Sequence, residues 1–342
     1  MYPDRRSLYK KLEELRCSKV LVYITGDRPG LGTQIHSEVL SFFTDHLDVI
    51  TERRRIPKIS LFLYTSGGFT MAAWGIVNLL RQFCDNYEVI VPSKAHSAGT
   101  IIALGADKII MTKQATLSPI DPSINSPLNP VTPSPGFIGQ GGTLTVPVSV
   151  EAISGFISFI KQYSAITQKG EFSKILLDLA DKVHPLVIGQ SYRAKKQIHQ
   201  IATKLLEDKI RNKKQRKNTI RYLTEESGSH DYTIYRNEAE KLDLPVDKPD
   251  EKLYTLIKTI FDNISEELEL NNPFSPSIYV NTSEGLVPYS FRRALIESNG
   301  AGSHIFLQEG VFQKTIYHDQ SGISQEAIND KMIFQGWRHE FS

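Results

Sequence analysis

Three times between Lys19 and Gly105 a run of aliphatic and β-branched residues leads through a turn of small residues into a helical pattern, and nothing else in the chain constrains the fold as much. KVLVYITGD passes through GDRPGLGTQ to HSEVLSFFTDHL. ISLFLYTSGG passes to FTMAAWGIVNLLRQF. YEVIVPSKAHSAGT passes to TIIALGA and then to DKIIMTKQA. Continuous apolar runs, without polar alternation, belong to strands buried on both faces. Such strands alternating with helices of roughly 10–15 residues signal a parallel sheet with crossover helices. Residues 1–125 are therefore expected to be α/β, with a short charged helix over 7–16 whose Leu8, Leu12 and Leu15 share a face.

The character changes at 118–147, which holds seven of the seventeen prolines and four glycines and so predicts a long loop rather than a helix or central strand. From Val150 to about Leu268 the periodicity is mostly helical. The last 70 or so residues carry short strand-like runs, SIYV, RRALI and SHIFLQ, with a turn at Asn299-Gly300. No internal repeat is visible. Among 342 residues, 40 Lys+Arg against 38 Asp+Glu exclude a polybasic nucleic-acid wrapper, and 40% hydrophobic residues exclude a disordered chain. Two cysteines, Cys17 and Cys84, cannot build a disulfide framework or a cysteine-only metal site, and suit a reducing cytosol. No apolar stretch reaches membrane-spanning length, and the charged start MYPDRRSLYKKLEELR has no signal-peptide core. The expectation is a soluble, cytoplasmic protein with no cofactor, no metal, no nucleic-acid partner and no membrane segment.

Two strand-to-helix junctions carry the chemistry. Thr65-Ser66-Gly67-Gly68 has the glycines and the helix N-terminus that turn backbone N–H groups toward an oxyanion. Lys94-Ala95-His96-Ser97-Ala98-Gly99-Thr100 offers a serine hydroxyl above the sheet, small neighbours for a close substrate, and the Ala98 N–H as a second donor. Each alone reads as an ordinary turn or helix cap. Two on consecutive βα units are much harder to assign to accident. Asp121, between Pro119 and Pro122 and 24 residues after Ser97, sits on a stiff mount.

A serine nucleophile needs a base. The histidines His96, His184 and His230 (in SGSHDY) and the lysines Lys94 and Lys113 are all open to that role. The loop Gly26-Asp-Arg-Pro-Gly30-Leu-Gly32 lacks the third glycine or the lysine of a nucleotide-binding loop. The basic run Lys209 to Arg221 reads as a solvated face.

As a set, TSGG, KAHSAGT and ALGADKIIMTKQATLSPIDP resemble the Clp-protease/crotonase superfamily, in wording its serine dehydrogenase proteinase branch, with a more distant likeness to signal peptide peptidase A. The resemblance is dense over about 18–125 and thinner from His184-Pro185-Leu186 through Ser229-His230-Asp231-Tyr232 to Leu242-Asp243-Leu244. It implies a spiral of ββα units with a helical and small mixed α/β C-terminal extension. It also implies a catalytic domain over 1–205 and a region over 206–342 that completes the site with His230. It implies Ser97 as nucleophile, Asp121 as orienting acid and His230 as base, with an oxyanion hole from Gly67 or Gly68 and Ala98. Classical Clp proteases place their histidine near the position of Asp121, so their triad does not carry over. The implied activity is a serine peptidase acting on a peptide or protein substrate, assembled as a homo-oligomer of the trimer or hexamer type. A crotonase-type acyl-CoA enzyme and a non-catalytic oligomeric scaffold remain the alternatives.

Overall fold

The computed structural model describes residues 1–121, 123–124, 126–133, 143–163, 169–226, 232–280, 285–318 and 324–340. Two compact units divide the chain. One comprises Met1–Ser118, Asp208–Arg211 and Thr233–Ser342; the other comprises Pro119–Glu207 and Asn212–Tyr232.

In the first unit, β1 (Lys19–Thr25) is buried at every position but its first, and β2 (Ile56–Tyr64) and β3 (Cys84–Val91) are buried along their C-terminal halves. Apolar runs of this kind need cover on both faces. The helices α1 (Tyr2–Arg16), α2 (Val39–Thr51) and α3 (Thr70–Phe83) belong to the same unit. The first of these is longer than the expected 7–16, since Pro3 in its opening turn lacks only an N–H that has no helical partner there. After β4 (Lys94–Ala95) and α4 (Ala98–Gly105), β5 (Lys108–Met111) joins the sheet and β6 (Thr116–Leu117) leaves it.

The main sheet runs Val246–Asp247, β5, β3, β2, β1, Leu286–Ser298, Gly302–His318, Ser324–Glu340. The five strands up to β1 are parallel, as the alternating pattern predicts, and the last three add as an antiparallel meander on the far edge of β1. A smaller sheet pairs β4 with β6 and β6 with Ile234–Tyr235. The C-terminal strands are far longer than the runs RRALI and SHIFLQ suggested, at 13, 17 and 17 residues. SIYV, by contrast, lies in the short helix Pro276–Val280, which starts on a proline and buries Val280. The turn at Asn299-Gly300 stands where expected, with Gly300 at φ 91°.

The second unit is mainly helical, as the periodicity after Val150 predicts: Val150–Tyr163, Lys169–Lys182, Pro185–Leu206 and Lys213–Arg221. Within 118–147 the strands of this unit are only two or three residues long. Lys209, in the first unit, departs from the solvated face expected of the basic run. Its ammonium donates to the Leu104 carbonyl at the end of α4, and burial pushes it down to about 7. Among the described residues no helix is long and apolar enough to cross a membrane.

Three histidines form a chain beside the meander. His46 Nδ1 lies 2.7 Å from Ser298 Oγ, and His46 Nε2 lies 2.9 Å from His304 Nδ1. The His304 ring stacks on His339, whose Nε2 donates to the Ala301 carbonyl at 2.7 Å. A single proton fills the contact between His46 and His304, so charging both rings would set two N–H groups against each other. Burial first, and then the neighbouring imidazoles, hold His46 down to about 3 and His304 down to about 4. Above pH ~7.5 His46 and His304 are neutral in folded and unfolded chain alike, and stability is independent of them. As pH falls from ~6.5 toward 4 the unfolded chain takes up protons that the folded chain refuses. Each ring then removes about 1.4 kcal/mol of stability per pH unit. Urea unfolding between pH 7.5 and 4.5 is expected to show this loss, and His46→Asn to reduce its slope by about one proton. An unchanged slope in the variant would refute the assignment.

Candidate active site

Backbone pairing brings the two junctions side by side. Thr65 bridges Ala95 in parallel, its N–H donating to the Lys94 carbonyl (3.2 Å) and its carbonyl accepting from the His96 N–H (3.1 Å). On the other side Gly68 bridges Ile35, through Ile35 N–H to Gly67 O and Phe69 N–H to Ile35 O, both 2.9 Å. The approach is so close that a Cβ on Gly68 (φ 152°) would stand 2.3 Å from the Ile35 nitrogen. Gly67 (φ 123°) lies against Ser97, where a Cβ would come within 2.9 Å of the serine Cβ and 3.4 Å of Oγ. Glycine is required at both places.

Ser97 caps α4 with φ 50° and ψ −110°, outside the regions that L-residues populate. Such a conformation costs on the order of 1–3 kcal/mol and persists only where surrounding bonds overdetermine it. Those bonds are present. The Ser97 N–H donates to Ser118 Oγ at 2.8 Å, and the Ser97 carbonyl accepts from the Ile101 N–H at 3.2 Å. Thr100 Oγ1 lies 2.9 Å from the carbonyls of both Ala95 and Ser118, tying the turn to the segment after β6. The half-buried Ser97 hydroxyl makes no hydrogen bond among the described residues.

The backbone donors divide cleanly. The Gly67 N–H is engaged by Thr65 Oγ1 at 3.0 Å, and Thr65 is itself held by Thr25 Oγ1 at 2.6 Å. The N–H groups of Gly68 and Ala98 make no hydrogen bond among the described residues. Ala98 opens α4, where the helix contributes positive potential.

Beside the TSGG turn, Asp27 gathers Lys94 Nζ, Tyr64 OH (2.7 Å) and Ser66 Oγ (3.2 Å). Burial alone would push the Asp27 carboxyl up; the hydrogen bonds from Lys94, Tyr64 and Ser66 outweigh it and hold it below its ordinary value. Lys94 is thereby committed to an ion pair. Lys113 is exposed, 3.7 Å from Glu251 and over the Tyr254 ring. Neither lysine has the buried, unpaired setting that a serine–lysine dyad needs.

Of the histidines, His96 turns Nε2 to Thr116 Oγ1 at 2.9 Å, and His184 caps the helix Pro185–Leu206 by accepting the Leu186 N–H. His230 lies outside the described residues. Asp121 is buried in the second unit, 3.4 Å from Ser149 Oγ and close enough to Glu151 to help burial push that carboxyl up. Ser97, Gly67, Gly68 and Ala98 thus come together within one unit, whereas Asp121 belongs to the other. Sequence reading passed over Asp27, Thr65, Thr100 and Ser118 as supports. Asp27 was legible only as a loop residue, and the threonine and serine clamps carry no local signal.

A strained serine at a strand-to-helix elbow, beside two N–H groups that make no hydrogen bond among the described residues, is an arrangement compatible with a serine hydrolase. Residues 2–132 match a family model described as ClpP-like SDH-type serine proteinase. Two uncharacterized proteins of Methanocaldococcus jannaschii are similar over most of their length. MJ0137 is 31% identical over 266 residues (73% of this chain, 80% of that protein), and MJ1495 is 26% identical over 273 residues (75% and 80%). The chain belongs to the ClpP-like SDH-type serine proteinase family. Among solved structures, the 1510-N membrane-bound stomatin-specific protease is 18% identical, with a TM-score of 0.36 over 73% of this chain and 86% of that one. ClpP1 from Listeria monocytogenes is 13% identical, with a TM-score of 0.37 over 72% and 99%.

Proposed function

We propose that the protein is a serine peptidase that cleaves peptide bonds through an acyl-enzyme on Ser97. The observation that carries this reading is the Ser97 backbone, strained at φ 50° and ψ −110° beside the unengaged N–H groups of Gly68 and Ala98. Strain maintained by a dedicated set of hydrogen bonds is a feature of functional positions. In this reading His230 takes the proton from Ser97 Oγ as the oxygen attacks a peptide carbonyl, and Asp121 holds the imidazole in the useful tautomer. The tetrahedral oxyanion lies between the Gly68 and Ala98 N–H groups, a donor pair in which each member is worth roughly 3–4 kcal/mol of transition-state stabilisation. Gly67, whose N–H is already engaged by Thr65, serves by its close fit to Ser97. The imidazolium returns its proton to the leaving amine, and water then hydrolyses the ester to free Ser97.

The same reading makes 1–205 the catalytic domain, with 206–342 supplying His230. It makes the working form a cytoplasmic homo-oligomer. Fluorophosphonate labelling with peptide mapping, on wild type, Ser97→Ala and His230→Ala, tests it. A single adduct on Ser97 that requires His230 is the expected result. An adduct on Ser97 that survives His230→Ala moves the base elsewhere, and no adduct on folded wild type removes the peptidase reading.

A further inference from the structure

Leu286–Ser298 does not pair evenly with its neighbour. Arg292 faces Leu307 and Ala294 faces Phe306, so Arg293 is the extra residue of a β-bulge. Bulges re-aim side chains and recur beside active sites. This one is built into the loop after β1: the Arg293 carbonyl accepts from the Gly26 N–H (2.8 Å) and from Thr33 Oγ1 (3.0 Å). A Cβ on Gly26 would stand 2.6 Å from that carbonyl, which accounts for a glycine of the loop that no nucleotide requires.

The re-aimed guanidinium lines a cavity of about 280 Å³ whose walls include Phe69, Phe306, Trp337, Gln34 and Gln335. Its Nε donates to the Leu31 carbonyl (2.9 Å), Nη1 to Gln308 Oε1 (2.6 Å) and Nη2 to the Gly32 carbonyl (2.5 Å). Of five N–H donors, three are engaged and two make no hydrogen bond among the described residues. All three acceptors are neutral, and no carboxylate lies within ion-pair distance among the described residues. Glu38, which also lines the cavity, accepts from Trp337 Nε1 at 3.1 Å rather than from Arg293. Partial burial, with only neutral acceptors engaged, pushes Arg293 below its ordinary value. The guanidinium carbon also lies over the Phe306 ring, 5.7 Å from its centroid.

Phe69, a wall of this cavity, directly follows Gly68. Consecutive Cα atoms are about 3.8 Å apart, so one wall residue of the cavity adjoins the residue that carries the proposed oxyanion donor. We propose that this cavity is a specificity pocket for a carboxylate of the peptide substrate, which pairs with Arg293 while its aliphatic stem packs on Phe69, Phe306 and Trp337. The proposal rests on the peptidase reading and names its substrate class. The carboxylate has two possible sources, an acidic side chain near the scissile bond or the α-carboxylate of the substrate's C-terminus.

The test compares peptides differing only in Glu against Gln at each position, or in a free acid against an amide at the C-terminus. Binding to the Ser97→Ala chain is followed by the fluorescence of Trp337, with Trp337→Phe as the control that silences it. One acid is expected to bind at least about tenfold tighter than its neutral isostere, since hydrogen bonds to charged groups are the strong ones. Preference at a Glu position identifies the side chain as the source, and preference for the free acid identifies the terminus. Arg293→Gln is expected to erase the preference and Arg293→Lys to retain part of it. If Arg293→Gln fails to fold, the peptide comparison on the unaltered arginine still decides. No discrimination at any position overturns the pocket. A chain labelled on Ser97 that ignores carboxylates keeps the peptidase reading and loses the pocket; one that binds them and is never labelled does the reverse.

Discussion

Ser97→Ala is expected to lower kcat/KM for any peptide the wild type hydrolyses by on the order of a millionfold, to background. The nucleophile and its base act as a unit, so removing the oxygen that forms the acyl bond leaves only binding and the oxyanion donors. The same change is expected to leave stability within about 0.5 kcal/mol, because the hydroxyl makes no hydrogen bond among the described residues and alanine inherits the backbone strain. Ser97→Gly separates the two effects. Glycine tolerates φ 50° at little cost, so this variant is expected to be equally inactive yet more stable than wild type by about 1 kcal/mol. An enzyme sacrifices stability in this way only where the strained residue has work to do. Steady-state kinetics with urea unfolding on the three chains checks both halves. Residual activity in the alanine variant would place the nucleophile elsewhere.

Glu297→Ala is expected to cost about 3–5 kcal/mol, a large part of the roughly 5–15 kcal/mol that holds a typical domain. Glu297, Arg5 and Tyr9 are fully buried. The carboxylate accepts from Arg5 Nε (2.9 Å), Tyr9 OH and Ser303 Oγ (2.9 Å). Arg5 also reaches Asn263 (2.8 Å) and Glu267 (2.6 Å), so one cluster fastens α1, the helix Glu251–Glu267 and the strand Leu286–Ser298. Removing the acid leaves a buried guanidinium with half its counter-charge and a buried phenol without its acceptor. Replacing both partners, as Arg5→Met with Glu297→Leu, is expected to recover most of the loss, because the penalty lies in the orphaned charge rather than in a missing attraction. Urea unfolding of the single and double variants measures this, and a single-variant loss under about 1 kcal/mol would refute it.

The parallel half of the sheet was legible because its signals are local. A buried strand, a small-residue turn and an amphipathic helix each announce themselves within fifteen or so residues, and β1, β2, β3, α3 and α4 stand where those patterns put them. The two chemical junctions were legible for the same reason. What the pattern could not supply is which segments lie beside one another. RRALI and SHIFLQ read as strands of an appendage, yet they lengthen and join the main sheet, where Leu286–Ser298 pairs with the edge of β1 and packs beside α2.

The sequence by itself determined the parallel α/β core, the serine at an elbow, the glycines opposite it and membership of a serine proteinase family. These follow from chain-local rules: strand and helix periods, the freedom of glycine, and the spacing of a motif. The tertiary structure alone decided that Gly68 rather than Gly67 keeps an unengaged N–H, since Thr65 takes the other. It alone decided that Lys94 is bound to Asp27, that Lys209 is half-buried against the Leu104 carbonyl, and that a bulge turns Arg293 into the cavity that Phe69 lines. Each of these depends on a hydrogen bond, an ion pair or a packing contact between residues far apart in the chain. Such partners are chosen by the packing of the whole unit and leave no trace in any short stretch of sequence.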